Sequence, residues 1–132
     1  MATYKPPHYN SLSPYLMVEN AAQLVQQLET IFKAKTLRRF DREDGKMAHV
    51  EVQIDDTVVM ISEQTAEYPA AKVMLHLYVP DVFKTFETAT RNGCEIIQKP
   101  FQQPNDPDIR GAFYDCAGNY WAVSTPADAA RS

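Results

Sequence analysis

The stretch Val73-Met-Leu-His-Leu-Tyr-Val-Pro-Asp81 decides how this chain reads. Apolar and aromatic residues fill it as far as Val79, the composition of a pleated, half-buried strand. Pro80 lacks an N–H and halts the ladder, and Asp81 offers a carboxylate to the first free amides of a helix. A strand that feeds straight into a helix is therefore expected. The same order stands earlier, in Ser13-Pro-Tyr-Leu-Met-Val-Glu-Asn20. Leu16 with Leu77, Val18 with Val79 and Asn20 with Asp81 align at one offset of 61 residues. In a chain of 132 residues, that offset predicts two copies of one supersecondary unit, about 13–62 and 74–125.

Working outward, residues 1–12 read as an irregular arm broken by Pro6 and Pro7. A strand is expected over about Ser13–Glu19. Asn20 then caps a helix, and Gln23 completes a capping box. Leu24, Val25, Leu28, Ile31 and Phe32 make one apolar stripe at helical spacing, the mark of a core face. Next come a strand near Thr36–Asp41, a solvated charged turn over Arg42–Lys46, and a hairpin of Met47–Ile54 and Thr57–Ser62 about Asp55-Asp56. The second copy repeats this. Its helix starts at Asp81, turns Val82, Phe83, Phe86 and Ala89 inward, and stops at Gly93 in a left-handed conformation. Glu95–Lys99 reads as a strand ended by Pro100. Ile109–Asp115 and Asn119–Thr125 read as a closing hairpin about Ala117-Gly118. Residues 63–72 link the copies, and Ala127–Ser132 is a tail. Each half is βαβββ, and the whole is one α+β domain over 1–132.

Composition narrows the function. With 13 basic against 17 acidic residues and a net charge of −4, the chain lacks the clustered Lys and Arg of a nucleic-acid footprint. Arg38-Arg39 is the single basic pair, offset by Asp41, Glu43 and Asp44. No apolar run approaches the roughly 20 residues of a membrane span. The N-terminus has no apolar core of the kind a signal peptide needs. A cytoplasmic protein is expected, with Cys94 and Cys116 as reduced, mostly buried thiols. His8, in the arm, has no expected chemical role. Trp121 is expected to pack against a helix.

Two βαβββ units, the joints Val18-Glu-Asn20 and Val79-Pro-Asp81, and the closing Phe113-Tyr-Asp-Cys-Ala-Gly-Asn119 resemble the vicinal oxygen chelate superfamily of glyoxalases, bleomycin-resistance proteins and extradiol dioxygenases. Ser13-Pro-Tyr-Leu and His49-Val-Glu-Val further resemble its PhnB-like members. Asp-Pro-x-Gly-Asn is usual at the last turn, and Cys116 replaces the proline here. The resemblance implies a curved mixed sheet around a cleft that holds a divalent metal. Carried over, its four ligand positions fall on Ser13, Met60, Met74 and Ala122. A hydroxyl, two thioethers and a methyl do not suit the cations of that chemistry. No cofactor is therefore expected.

Strand parity indicates what the cleft holds instead. Met74, His76 and Tyr78 share a face, as do Ser13, Tyr15 and Met17. A two-residue turn at Asp55-Asp56 sets Glu51 opposite Met60 and His49 opposite Ser62. The same logic pairs Phe113 with Ala122 and Asp115 with Tyr120. Glu51, His49 and His76 are thus the candidate chemical groups, and Tyr15, Met17, Met60, Met74, Tyr78 and Phe113 the apolar wall. Three uses fit them: a polar patch in a cavity for a small organic ligand, an acid–base pair of a lyase or isomerase, or a relocated divalent-metal site at His49, Glu51 and His76. Open sheet edges and aromatic surface favour a homodimer.

Overall fold

The computed structural model describes residues 4–130. The chain divides between Ala71 and Lys72 into two compact units. The first runs β1 (Tyr15–Val18), α1 (Ala21–Phe32), β2 (Lys35–Asp41), β3 (Met47–Ile54) and β4 (Thr57–Glu63). The second runs β5 (Met74–Tyr78), α2 (Val82–Arg91), β6 (Glu95–Gln102), β7 (Asp108–Tyr114) and β8 (Tyr120–Pro126), then a short α3 (Ala127–Ala130). Strand order is β1-β4-β3-β2 in one sheet and β5-β8-β7-β6 in the other. In both, the strand before the helix runs parallel to the last strand, and the other pairs are antiparallel. The fold is α+β, a βαβββ module repeated. No helix among the described residues is long and apolar enough to cross a membrane.

Both helices start where the sequence places their caps, and each draws on the end of its neighbouring strand. Asn20 accepts from the Gln23 amide at 3.4 Å. The expected return bond differs, because Gln23 Oε1 takes the Asn20 side-chain amide at 3.1 Å. The backbone N–H groups of Asn20 and Ala21 donate instead to the Glu63 carboxylate, each at 2.9 Å. Glu63 reaches them because it pairs with Val18 at the end of β1. Such acceptors stabilise helix starts by satisfying amides that have no partner within the helix. In the second unit Asp81 accepts from Phe83 and Lys84, and Thr125 Oγ1 takes the Val82 N–H at 2.9 Å.

The core of the first unit joins Leu24, Val25, Leu28 and Ile31 of α1 to Leu16, Val18, Val50, Val52, Val59 and Ile61 of the sheet, all buried. Burying such side chains stabilises by about 1.5–3 kcal/mol each before chain entropy opposes it. Alternation turns Tyr15, Met17, His49, Glu51, Met60 and Ser62 to the other face. In the second unit Phe86 of α2 meets Phe113 edge-on, with centroids 5.2 Å apart. A Cβ on Gly111 would stand 2.5 Å from the Phe86 ring and 2.8 Å from Gln98 O, so only glycine fits there.

Five expectations need correction. The first is the inward turn of Phe83 with Val82, Phe86 and Ala89: Phe83 is half exposed. β6 does not stop at Lys99 but continues through Pro100 to Gln102. It is an edge strand, and its register breaks between Gln98 and Phe101, which is where a proline can sit in a sheet. The second hairpin pairs Phe113 with Trp121 and Tyr114 with Tyr120, one residue out of the expected register. Its loop has three residues because Asp115 accepts from the backbone of Ala117 and Asn119 and from Trp121 Nε1, and pairs with Asn119 across the loop. Ser13 precedes β1 instead of opening it, and residues 127–130 of the tail form α3. The remaining tail residues, 131–132, lie outside the described residues.

Candidate functional site

The two-residue turn at Asp55-Asp56 is where the sequence puts it, so Glu51 pairs with Met60 on the face away from α1. A buried carboxylate on that face needs partners, and four residues supply a continuous chain of them. Tyr9, from the N-terminal arm, donates its hydroxyl hydrogen to Glu51 Oε1. His49 Nε2 lies 2.8 Å from Oε2, and His49 Nδ1 lies 3.0 Å from the Tyr15 hydroxyl. That hydroxyl lies 2.8 Å from Ser62 Oγ. With His49 neutral, one arrangement satisfies every donor. Ser62 donates to Tyr15, Tyr15 to Nδ1, and Nε2–H to Glu51.

Glu51 is only 5% exposed, and burial alone would push its carboxyl up. The hydrogen bonds from Tyr9 and His49, then the charges of His49 and Arg38, outweigh burial and hold it below its ordinary 4.5. Arg38 Nε stands 3.7 Å from Oε1 and its guanidinium lies over the Tyr9 ring. Burial and the Glu51 bond push the Tyr9 phenol up. The carboxylate is therefore an ionised anchor that orients His49.

The Tyr15 and Ser62 end of this chain opens on a cleft of about 430 Å³ within the first unit. Met17, Arg42, Ala48, Glu63, Thr65 and Tyr68 complete its lining. A larger cavity, about 550 Å³, lies between α2 and β6 and is lined by Phe83, Phe86 and Ile96. It belongs to the second unit and sits on the helix side of its own sheet.

The other predicted residues are in the second unit. His76 Nε2 lies 3.0 Å from Ser124 Oγ, the counterpart of the Tyr15–Ser62 contact. Burial and the Arg110 charge push His76 below its usual value, against a weaker pull from Asp108. Tyr78 donates to Asp108 Oδ2 at 2.8 Å and meets the His76 ring edge-on at 4.7 Å. Met74 is 73% exposed. Phe113 leaves the proposed wall: the register shift turns it to the helix side, fully buried against Phe86. Cys94 is buried as expected, whereas Cys116 is exposed. Desolvation and then Asp115 push Cys94 up to about 12 and Cys116 to about 11, so neither is primed as a nucleophile.

Sequence reasoning missed Tyr9 and Arg42. An aromatic in a proline-rich arm and an arginine in an acidic turn carry no local signal of what they reach.

The sequence profile of the Glyoxalase/Bleomycin resistance protein/Dioxygenase superfamily matches residues 5–123. The chain belongs to this superfamily. It is 27% identical over 127 residues to an uncharacterized protein of Mycobacterium bovis, covering 88% of this chain and 83% of that one. Among superfamily folds it is similar to TioX from Micromonospora sp. ML1, with a TM-score of 0.71, 19% identity, and coverage of 89% of this chain and 97% of that one. The fosfomycin resistance protein FosX of Listeria monocytogenes gives 0.65 at 13% identity, covering 92% and 97%. A glyoxalase I variant from Zea mays gives 0.70 at 16% identity, covering 87% of this chain and 46% of that one. At these identities the likeness shows the fold.

Divalent metal is what the superfamily resemblance implies for the site. Ser13, Met60, Met74 and Ala122 offer it no carboxylate or imidazole, so those residues do not fit such an ion. His49 and Glu51 give two donors already bonded to one another. Among the described residues no three His, Cys, Asp or Glu side chains stand close enough to share a metal ion.

Proposed function

We propose that the protein binds a small organic molecule on the face of its first sheet away from α1, without divalent metal at the positions the superfamily uses. The observation that supports this is the polar chain Tyr9–Glu51–His49–Tyr15–Ser62, anchored at a buried carboxylate and ending at an open cleft. Pockets of this kind combine apolar walls with a few fixed polar groups. Met17, Tyr15 and Tyr68 supply the wall, and the Tyr15 hydroxyl, whose hydrogen is directed to His49, supplies an acceptor. We further infer a PhnB-like, cytoplasmic homodimer in which residues 1–132 act as one domain. The two free thiols support that compartment. In this reading Met60 extends the ligand-contacting surface of the first sheet, and Met74, His76 and Tyr78 form the corresponding face of the second.

A second reading rests on the same chain. Carboxylate, imidazole and phenol in series can move a proton, with Glu51 holding His49 and His49 drawing the hydrogen of Tyr15, which would serve a lyase or isomerase. The experiment is calorimetric titration of the purified protein with a panel of organic fragments, alongside elemental analysis. Tyr15→Phe and His49→Ala should weaken every hit, and Glu87→Gln on the exposed side of α2 should not. Equal binding in all four proteins, or about one Fe, Ni, Zn or Mn ion per chain, would overturn the proposal.

A further inference from the structure

The turn after β2 reads as solvent-facing acidic loop, yet Arg42 within it is half-buried. The turn is tight: Arg42 N–H donates to Lys46 O at 2.7 Å, and Gly45 takes the left-handed φ of +85°. This sends the Arg42 side chain back to the end of β4. There Nη2 donates to Glu63 O at 3.0 Å and Gln64 O at 3.3 Å. Nε is shielded from solvent and has no hydrogen-bond partner. Among the described residues no carboxylate lies within 4.0 Å of the guanidinium.

Three of the acids near it in sequence or in space are committed elsewhere. Glu63 is held by the α1 amides, Asp41 by Arg39 at 2.8 Å, and Asp44 by the Lys46 amide at 2.9 Å. A partly shielded guanidinium with no counter-ion carries uncompensated charge, and an anion brought to it would be favoured. Arg42 also lines the cleft at the Tyr15 end of the polar chain.

We propose that this cleft takes a small organic monoanion, with its carboxylate on Arg42 and its flat apolar body against Tyr15, Met17 and Tyr68. The inference rests on the small-molecule reading above and adds the ligand's charge. One charge is favoured over two because, among the described residues, Arg42 is the one cationic side chain in the lining of the cleft, where Glu63 also stands. With Nη2 on the two carbonyls and Nε shielded, Nη1 is the donor left for a carboxylate oxygen, and charge-assisted bonds of this kind are the stronger ones.

The test uses the full-length 15N-labelled protein and two isosteric probes, benzoate and neutral benzamide, with inorganic phosphate as the small dianion. Benzoate should bind about tenfold more tightly than benzamide, shifting the amides of Ser62, Thr65 and Tyr68. Phosphate should bind more weakly than benzoate. Arg42→Gln should erase the preference for benzoate and keep benzamide binding; Arg42→Lys, which retains the charge, should keep part of the preference. Equal binding of the two probes to the unaltered protein, or a preference that survives Arg42→Gln, overturns the proposal. Benzamide bound in the cleft with no benzoate advantage sinks the charge inference alone. Absence of binding by either probe sinks it too, while fragment hits elsewhere on the Tyr15 face would leave the small-molecule reading standing. The comparison on the unaltered protein decides the matter even if a variant fails to fold.

Discussion

Replacing Glu51 by glutamine tests the anchor from which the polar chain hangs. The carboxylate receives two charge-assisted hydrogen bonds, from Tyr9 and from His49 at 2.8 Å, at a site only 5% exposed. Glutamine keeps one carbonyl acceptor and puts an NH2 where the second oxygen was. Tyr9 keeps a neutral bond to that carbonyl, a loss of about 1 kcal/mol. His49 loses about 1 kcal/mol if it takes its other tautomer and accepts from the NH2, and up to about 3 kcal/mol if its Nε2 keeps the proton and goes unsatisfied. The sum is about 2–4 kcal/mol, measured as the fall in unfolding free energy in urea by far-ultraviolet circular dichroism at pH 7. The pH dependence fixes the sign. The Glu51 carboxyl is held below 4.5 in the folded protein, so between the folded and unfolded values the unfolded chain binds more protons. Its contribution is complete at neutral pH and disappears as pH falls through the depressed value. The gap between the parent and Glu51→Gln should thus be full at pH 7 and narrow as pH falls below 4.5. A loss below about 0.5 kcal/mol at pH 7, the range of ordinary surface substitutions, or a gap that stays constant with pH, would refute the reasoning.

Three other outcomes follow from the structure. Gly111→Ala should destabilise by about 1–3 kcal/mol, because the new methyl meets the Phe86 ring at 2.5 Å and the rigid Gln98 carbonyl at 2.8 Å; Trp121 emission during denaturation checks it. Iodoacetamide at pH 8 should label the buried Cys94 slowly under native conditions and rapidly in urea, since burial shields it and its value is pushed up to about 12; fast native labelling of Cys94 would contradict this. Light scattering at micromolar concentration should give twice the chain mass of 15.0 kDa, and a value at 15.0 kDa would count against a dimer.

The fold was legible because its signals are local and repeated. Pro80 and Asp81 end a strand and cap a helix within two residues, and the same order at Asn20 reveals the duplication without any knowledge of contacts. The first hairpin was legible for the same reason: Asp55-Asp56 fixes the register, and register fixes which face His49 and Glu51 occupy. The second hairpin failed by one residue because its loop is set by the Asp115 carboxylate. That carboxylate gathers two backbone amides, the Asn119 side chain and Trp121, a tertiary arrangement that the dipeptide Ala117-Gly118 does not announce. One residue of slip turned Phe113 from an expected wall position into core. Tyr9 and Arg42 lie farther still from local rules. Tyr9 acts across 42 positions of sequence on Glu51, and Arg42 across 21 positions on Glu63 O.

The central claim is that the Tyr15 end of the polar chain is where this superfamily member receives its ligand. The most direct measurement is a two-dimensional 15N NMR screen of the full-length protein against a general fragment library, with every backbone amide assigned. The account predicts that hits converge on Tyr15, Met17, Ser62, Thr65 and Tyr68, and that His49→Ala removes them. Hits confined to the apolar cavity of Phe83, Phe86 and Ile96, or to the second unit alone, would contradict it.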